Sequence, residues 1–101
     1  QRRDCPVGQE AEVLRCHPAS YLARVKSATP EEGWAQLDAD TFLSPGSLEA
    51  ALRAVGGICA AVDAVVAGEA KTAFVAGRPP GHHAERDIAM GFCLFGTVAI
   101  G

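Results

Sequence analysis

The 101-residue chain is 49% hydrophobic and 21% charged, with 9 Lys+Arg against 12 Asp+Glu and a formal net charge of −3. This composition lies close to the globular average and excludes a disordered tail, a collagen-like repeat and a coiled coil, while the length allows at most one domain. No apolar run approaches the roughly 18 residues of a membrane span, and without a block of Lys/Arg there is no electrostatic footprint for nucleic acid or an anionic membrane surface.

Gln1-Arg2-Arg3-Asp4 carries neither an initiator Met nor the opening of a helix or strand, so the chain is expected to begin within a longer protein. The run Gln9-Glu10-Ala11-Glu12-Val13-Leu14-Arg15 suits a short helix. Pro18 starts a second at its first turn, where a missing N–H does no harm, and Tyr21, Leu22 and Val25 give that helix one apolar face. Turn residues make Thr29-Pro30-Glu31-Glu32-Gly33 a loop, expected to continue through Asp38-Ala39-Asp40-Thr41. From Ser44 to Gly68, Leu48, Leu52, Val55, Cys59, Val62 and Val66 recur at steps of four and three. At about 100° per residue they share one arc with Ala51, Ile58 and Val65, opposite Glu49, Arg53, Gly57, Ala60 and Ala64. Ser44 or Ser47 caps this helix and Gly68 lies just past its end. Thr72-Ala73-Phe74-Val75-Ala76 is short, apolar and not helical in period, which predicts a buried strand running into Gly77-Arg78. Phe92 to Gly101 reads as the opening of a further helix. Helix followed by buried strand predicts an α/β architecture, and a lone strand requires partners from outside these residues.

Cys5, Cys16, Cys59 and Cys93 are far apart, with no CxxC and no signal-peptide h-region, which points to a reducing, cytoplasmic setting. Cys59 falls inside the helical pattern, where a small buried hydrophobe is expected. A Cys/His metal module would need these thiols and the histidines to converge without any close Cys pair.

The segment richest in chemistry follows the predicted strand: Arg78-Pro79-Pro80-Gly81-His82-His83-Ala84-Glu85, then Ala89-Met90-Gly91-Phe92-Cys93-Leu94-Phe95. Sites in open α/β sheets gather beyond the carboxyl ends of strands. Adjacent side chains on a regular strand point to opposite faces, so bringing both imidazoles into one pocket needs irregular backbone, which Pro79, Pro80 and Gly81 supply. Imidazole exchanges protons near neutral pH, and of two held together one can take a proton while the other stabilises developing charge.

On these two blocks the chain resembles the zinc-dependent histone deacetylase and acetylpolyamine amidohydrolase superfamily, in its class II-like, bacterial-type branch. Weaker likeness comes from His17-Pro18 with Tyr21-Leu22, from Leu37-Asp38-Ala39-Asp40-Thr41 leading to Ser44-Pro45, and from Ala64-Val65-Val66-Ala67-Gly68-Glu69-Ala70. The resemblance implies an α/β, arginase/deacetylase-like three-layer fold with a parallel sheet flanked by helices, incomplete in this chain. Residues 1–101 would then be the N-terminal-central portion of a deacetylase domain, lacking its first strand and its zinc-ligand half.

The same resemblance makes His82 and His83 the tandem catalytic histidines, His83 as general base and acid and His82 as electrostatic partner. Gly91 becomes a wall of the substrate channel, Phe92 the flank of the aliphatic stem of an acylated lysine or polyamine, and Asp40 a rim carboxylate that holds substrate backbone. It also implies Zn²⁺ in the complete protein, with the metal ligands absent from this chain, so that the 101 residues alone are expected to be inactive. Two departures from the branch stand out. Gly96-Thr97 stands where an Asn pair, or Asn and a small residue, is usual, and Gly77 where Val is usual. These departures carry the alternative of a degenerate remnant or interaction fragment without catalysis.

Overall fold

The computed structural model describes residues 2–101; Gln1 lies outside the described residues. Helix α1 (Glu10–Val13) is a single turn, started by Gln9, whose backbone N–H donates to Glu12 Oε1 at 2.8 Å. That bond holds the Glu12 carboxyl below its usual range. Helix α2 (Ala19–Ala28) begins after Pro18 and buries Tyr21, Leu22 and Val25, the face its spacing predicts.

Residues 34–43 differ from the expected loop. They form an antiparallel hairpin of β1 (Ala35–Asp38) and β2 (Thr41–Leu43), paired Ala35 to Leu43 and Gln36 to Phe42, with an irregularity before Asp38 opposite Thr41. The Ala-Gln-Leu-Asp strand has little β propensity of its own. What holds it is cross-chain: Trp34 meets Phe42 edge-on at 5.3 Å, and Thr41 and Leu43 are fully buried.

Helix α3 (Ser47–Val66) follows, with Gly68 just past its end at φ +81°. Its first three turns bury Ala51, Val55 and Cys59, with Leu48, Leu52 and Ile58 packed alongside, as the period predicts. Burial pushes the Cys59 thiol pKa up, with Glu12 adding to the effect, in keeping with a core role. The arc does not extend to the last turn, where Val66 is 81% exposed and Val62 and Val65 are open. Gly57, on the opposite side, is instead buried beneath Cys5 and Val75. The N-terminal segment crosses there, Gly8 N–H donating to the Leu52 carbonyl at 2.7 Å, so α3 is covered from two directions.

The predicted strand over 72–76 does not form a ladder among the described residues, and Phe74 is 92% exposed. A strand exists through hydrogen bonds to a neighbour, and no described segment offers one here. The segment instead walls a cavity of about 950 Å³ with Cys5 and Pro6, over an α3 floor of Gly57, Ala60, Ala61 and Ala64. The chain closes with a single-turn helix, α4 (Thr97–Ile100), which packs on α3 and starts later than the opening expected at Phe92. No helix among the described residues is long and apolar enough to cross a membrane.

The core joins α1, α2, β2, α3 and the segment after the histidines, with Tyr21, Leu94 and Phe95 each 1% exposed. Tyr21 Oη donates to the Leu94 carbonyl at 2.5 Å, and burial raises the phenol pKa from its usual 10.0 to about 12. Above the unfolded value the unfolded chain releases this proton while the folded chain keeps it, so stability is full below about pH 10 and falls as pH rises towards about 12. Urea midpoints taken across this window should fall with pH in the parent, and less steeply in Tyr21→Phe.

Candidate active site

The site is built on residues 77–96, which run without regular structure from the end of the 72–76 segment to α4. His82 and His83 are exposed, and their ring centroids lie 4.1 Å apart at 51°. Irregular backbone therefore does place adjacent imidazoles together. Gly81 matters through close approach, not through a left-handed φ. A Cβ there would collide with the Thr97 side chain, and the Gly81 carbonyl accepts the Val98 N–H at 3.0 Å. The start of α4 thus presses directly on the backbone that carries the histidines.

Ten residues after His83 the chain folds back. Met90 and Cys93 exchange backbone hydrogen bonds of 3.2 and 2.9 Å around Gly91 and Phe92, whose φ values are +56° and +67°. Two positive-φ residues at the centre of a two-residue turn are the pattern of a type I′ turn, which glycine enters freely. For Phe92 the left-handed conformation costs roughly 1–2 kcal/mol. Burial of the next two large side chains, Leu94 and Phe95, contributes about 1.5–3 kcal/mol each and outweighs that strain.

The turn is also held from across the fold. Asp40 Oδ1 accepts the Gly91 N–H at 3.1 Å, and Thr41 Oγ1 accepts the Phe92 N–H at 3.2 Å. Gly91 in turn supports His83: a Cβ at Gly91 would lie 2.6 to 2.9 Å from the atoms of the His83 side chain, so the imidazole rests against its α-carbon. Cys93 closes the arrangement, its buried Sγ accepting the His83 backbone N–H at 3.4 Å and donating to the Gly91 carbonyl at 3.6 Å. All five residues singled out in the sequence, Asp40, His82, His83, Gly91 and Phe92, are therefore linked in one continuous set. Phe92 presents its ring outward, 61% exposed.

Three contributors carried no sequence signal for this role. Thr41 and Cys93 act through side-chain hydrogen bonds to distant backbone that no spacing rule announces. His17 is a third: 3% exposed, it accepts the Gly96 N–H on Nε2 at 2.9 Å and its Nδ1 lies 2.7 Å from the Arg86 carbonyl. A carbonyl only accepts and an amide only donates, so Nδ1 carries the proton. A depression of about 330 Å³ beside the turn is lined by Phe42, Ser47, Pro79, Pro80, Phe92 and Leu94, among others. Neither imidazole reaches it, so it is separate from the histidine pair. Among the described residues no three His, Cys, Asp or Glu side chains are arranged to hold a metal ion, and all four cysteines are free. The Cys/His metal module finds no such group here.

The family model described as "Histone deacetylase domain" matches residues 2–101. A "Histone deacetylase-like amidohydrolase" of Pseudomonas aeruginosa is 46% identical over 100 residues, 99% of this chain and 26% of that protein. A "Probable deacetylase" of Archaeoglobus fulgidus is 37% identical over 89 residues, 88% of this chain and 24% of that protein. A solved structure, the "HDA15 HD domain", superposes with a TM-score of 0.90 at 28% identity, covering 97% of this chain and 28% of that one. The chain thus spans about a quarter of the length of these relatives. That superposition gives the helices and the irregular histidine segment the α/β deacetylase fold, and with the domain matched from residue 2 onward the chain belongs to the histone deacetylase and acetylpolyamine amidohydrolase family.

Proposed function

We propose that these residues are the proton-handling portion of a larger, cytoplasmic amidohydrolase domain that removes acyl groups from acylated lysine side chains or polyamines. The observation that carries this reading is the His82–His83 ring pair at 4.1 Å, with His83 seated on Gly91 beside the outward ring of Phe92. His83 takes the proton of the attacking water and returns it to the leaving amine, and His82 steadies the charge that develops. Phe92 packs on the methylenes of the acylated stem, and the Gly91 backbone lines the approach of the amide. Asp40 uses one oxygen on the Gly91 N–H, and its other oxygen is the one assigned to substrate backbone. The Zn²⁺ that the resemblance implies finds no ligand set among the described residues. The chemistry assigned to this chain is confined to protons and positioning.

The Gly96-Thr97 departure leaves the local hydrogen bonding and packing of the histidine segment intact. This departure is in contact with the site, Gly96 through its N–H on His17 and Thr97 through its packing on Gly81. Release of acetate from an acetyl-lysine peptide and from an acetylpolyamine is the test. The complete protein should release it from at least one of them and the isolated 101 residues from neither. Turnover by the isolated chain that His83→Ala abolishes would overturn its inactivity; no release by the complete protein from either substrate would leave the remnant reading standing.

A further inference from the structure

We infer that Thr41 is a positioning residue of this site, fixing the Gly91-Phe92 turn through its hydroxyl and, through the turn, the His83 ring. The inference rests on the reading of His83 as the proton-handling group.

Thr41 is polar yet 0% exposed, and its hydroxyl both donates and accepts. It donates to Asp40 Oδ1 at 3.3 Å and accepts the Phe92 N–H at 3.2 Å, while the same Asp40 oxygen accepts the Gly91 N–H at 3.1 Å. Two successive backbone amides are thereby clamped by two successive side chains, Asp40 in the β1–β2 turn and Thr41 at the start of β2, each 51 residues earlier in the chain. The clamped amides belong to the two residues at positive φ, one of them a phenylalanine that the left-handed region disfavours. Released from the clamp, the turn can relax towards ordinary backbone. Because the His83 ring abuts the Gly91 α-carbon and the Phe92 ring forms the outward wall, one relaxation displaces both the base and the surface that aligns the substrate.

Thr41→Val keeps the side-chain shape and removes both the donor and the acceptor, leaving the Phe92 N–H without its partner. In the complete protein, kcat/KM for the better acetylated substrate should fall about tenfold or more, carried mainly by kcat, since a misplaced base weakens the transition state more than substrate binding. Thr41→Ser, which retains the hydroxyl, should stay within about twofold of the parent. Hydrogen exchange at the Phe92 amide should be slow in the parent and in Thr41→Ser, and faster by about tenfold or more in Thr41→Val. Parent-like kcat/KM and exchange in Thr41→Val, or a loss in Thr41→Ser equal to that in Thr41→Val, overturns the inference. If Thr41→Val does not fold, the parent's Phe92 amide decides: slow exchange supports the clamp, and exchange at the rate of an open loop overturns it. Parent turnover that does not respond to His83→Ala overturns the reading beneath the inference, and Phe92 exchange then judges the clamp alone.

Discussion

Replacing His83 with alanine in the complete protein is expected to lower kcat by about 10²- to 10⁴-fold, the range a positioned general acid–base supplies. The side chain is exposed, so the loss should come without loss of fold. Its backbone remains tied by the His83 N–H to Cys93 Sγ bond, which the substitution leaves in place. His82→Ala should cost less, because His82 contacts the neighbouring ring and has no seat on Gly91 comparable to that of His83. Steady-state kinetics on the two variants, with thermal unfolding as the control, separate the roles. Parent-like turnover in His83→Ala would overturn the assignment, and a greater loss in His82→Ala would exchange the two residues.

His17→Ala is expected to destabilise the protein by about 3–5 kcal/mol, the range for removing a large buried ring, with an orphaned buried amide included. The imidazole spans from the Arg86 carbonyl to the Gly96 N–H, the two ends of the stretch that contains the Gly91-Phe92 turn. It also stacks on Tyr21 at 5.0 Å and meets Phe95 at 5.7 Å. Against a typical total stability of about 5–15 kcal/mol such a loss is a large fraction. In a complete domain of about 150 residues or more Tm should drop by roughly 6–20 °C, and His17→Gln, whose amide offers a donor and an acceptor, should recover part of it. A drop of less than about 2 °C in His17→Ala would show that the bridge contributes little.

Helix α3 and the buried face of α2 were legible because periodicity is local: each residue's placement follows from its neighbours three and four positions away. The histidine segment was legible for a related reason, since Pro79, Pro80, Gly81, His82 and His83 are contiguous and together resemble one family. The hairpin was not. Its strands are only four and three residues long and are held by the edge-on contact of Trp34 with Phe42 and by the burial of Leu43 against other segments, contacts in space that no short periodic pattern reports. The segment over 72–76 erred the other way. Its residue types favour a strand, but a ladder depends on a neighbour that those residues cannot specify.

The sequence alone determined the chemistry on offer: two imidazoles side by side, a Gly-Phe pair eight residues beyond the second, and an acidic residue far upstream, in a chain of ordinary charge and length. It also carried the family, through contiguous blocks. Only the tertiary structure decided that these groups stand in contact with one another. Asp40 and Thr41 reach across 51 residues to hold Gly91 and Phe92, and Gly91 seats His83. A hydrogen bond depends on distance and angle in space, and partners so far apart along the chain are chosen by the burial of Leu94, Phe95 and Leu43 that brings their segments together.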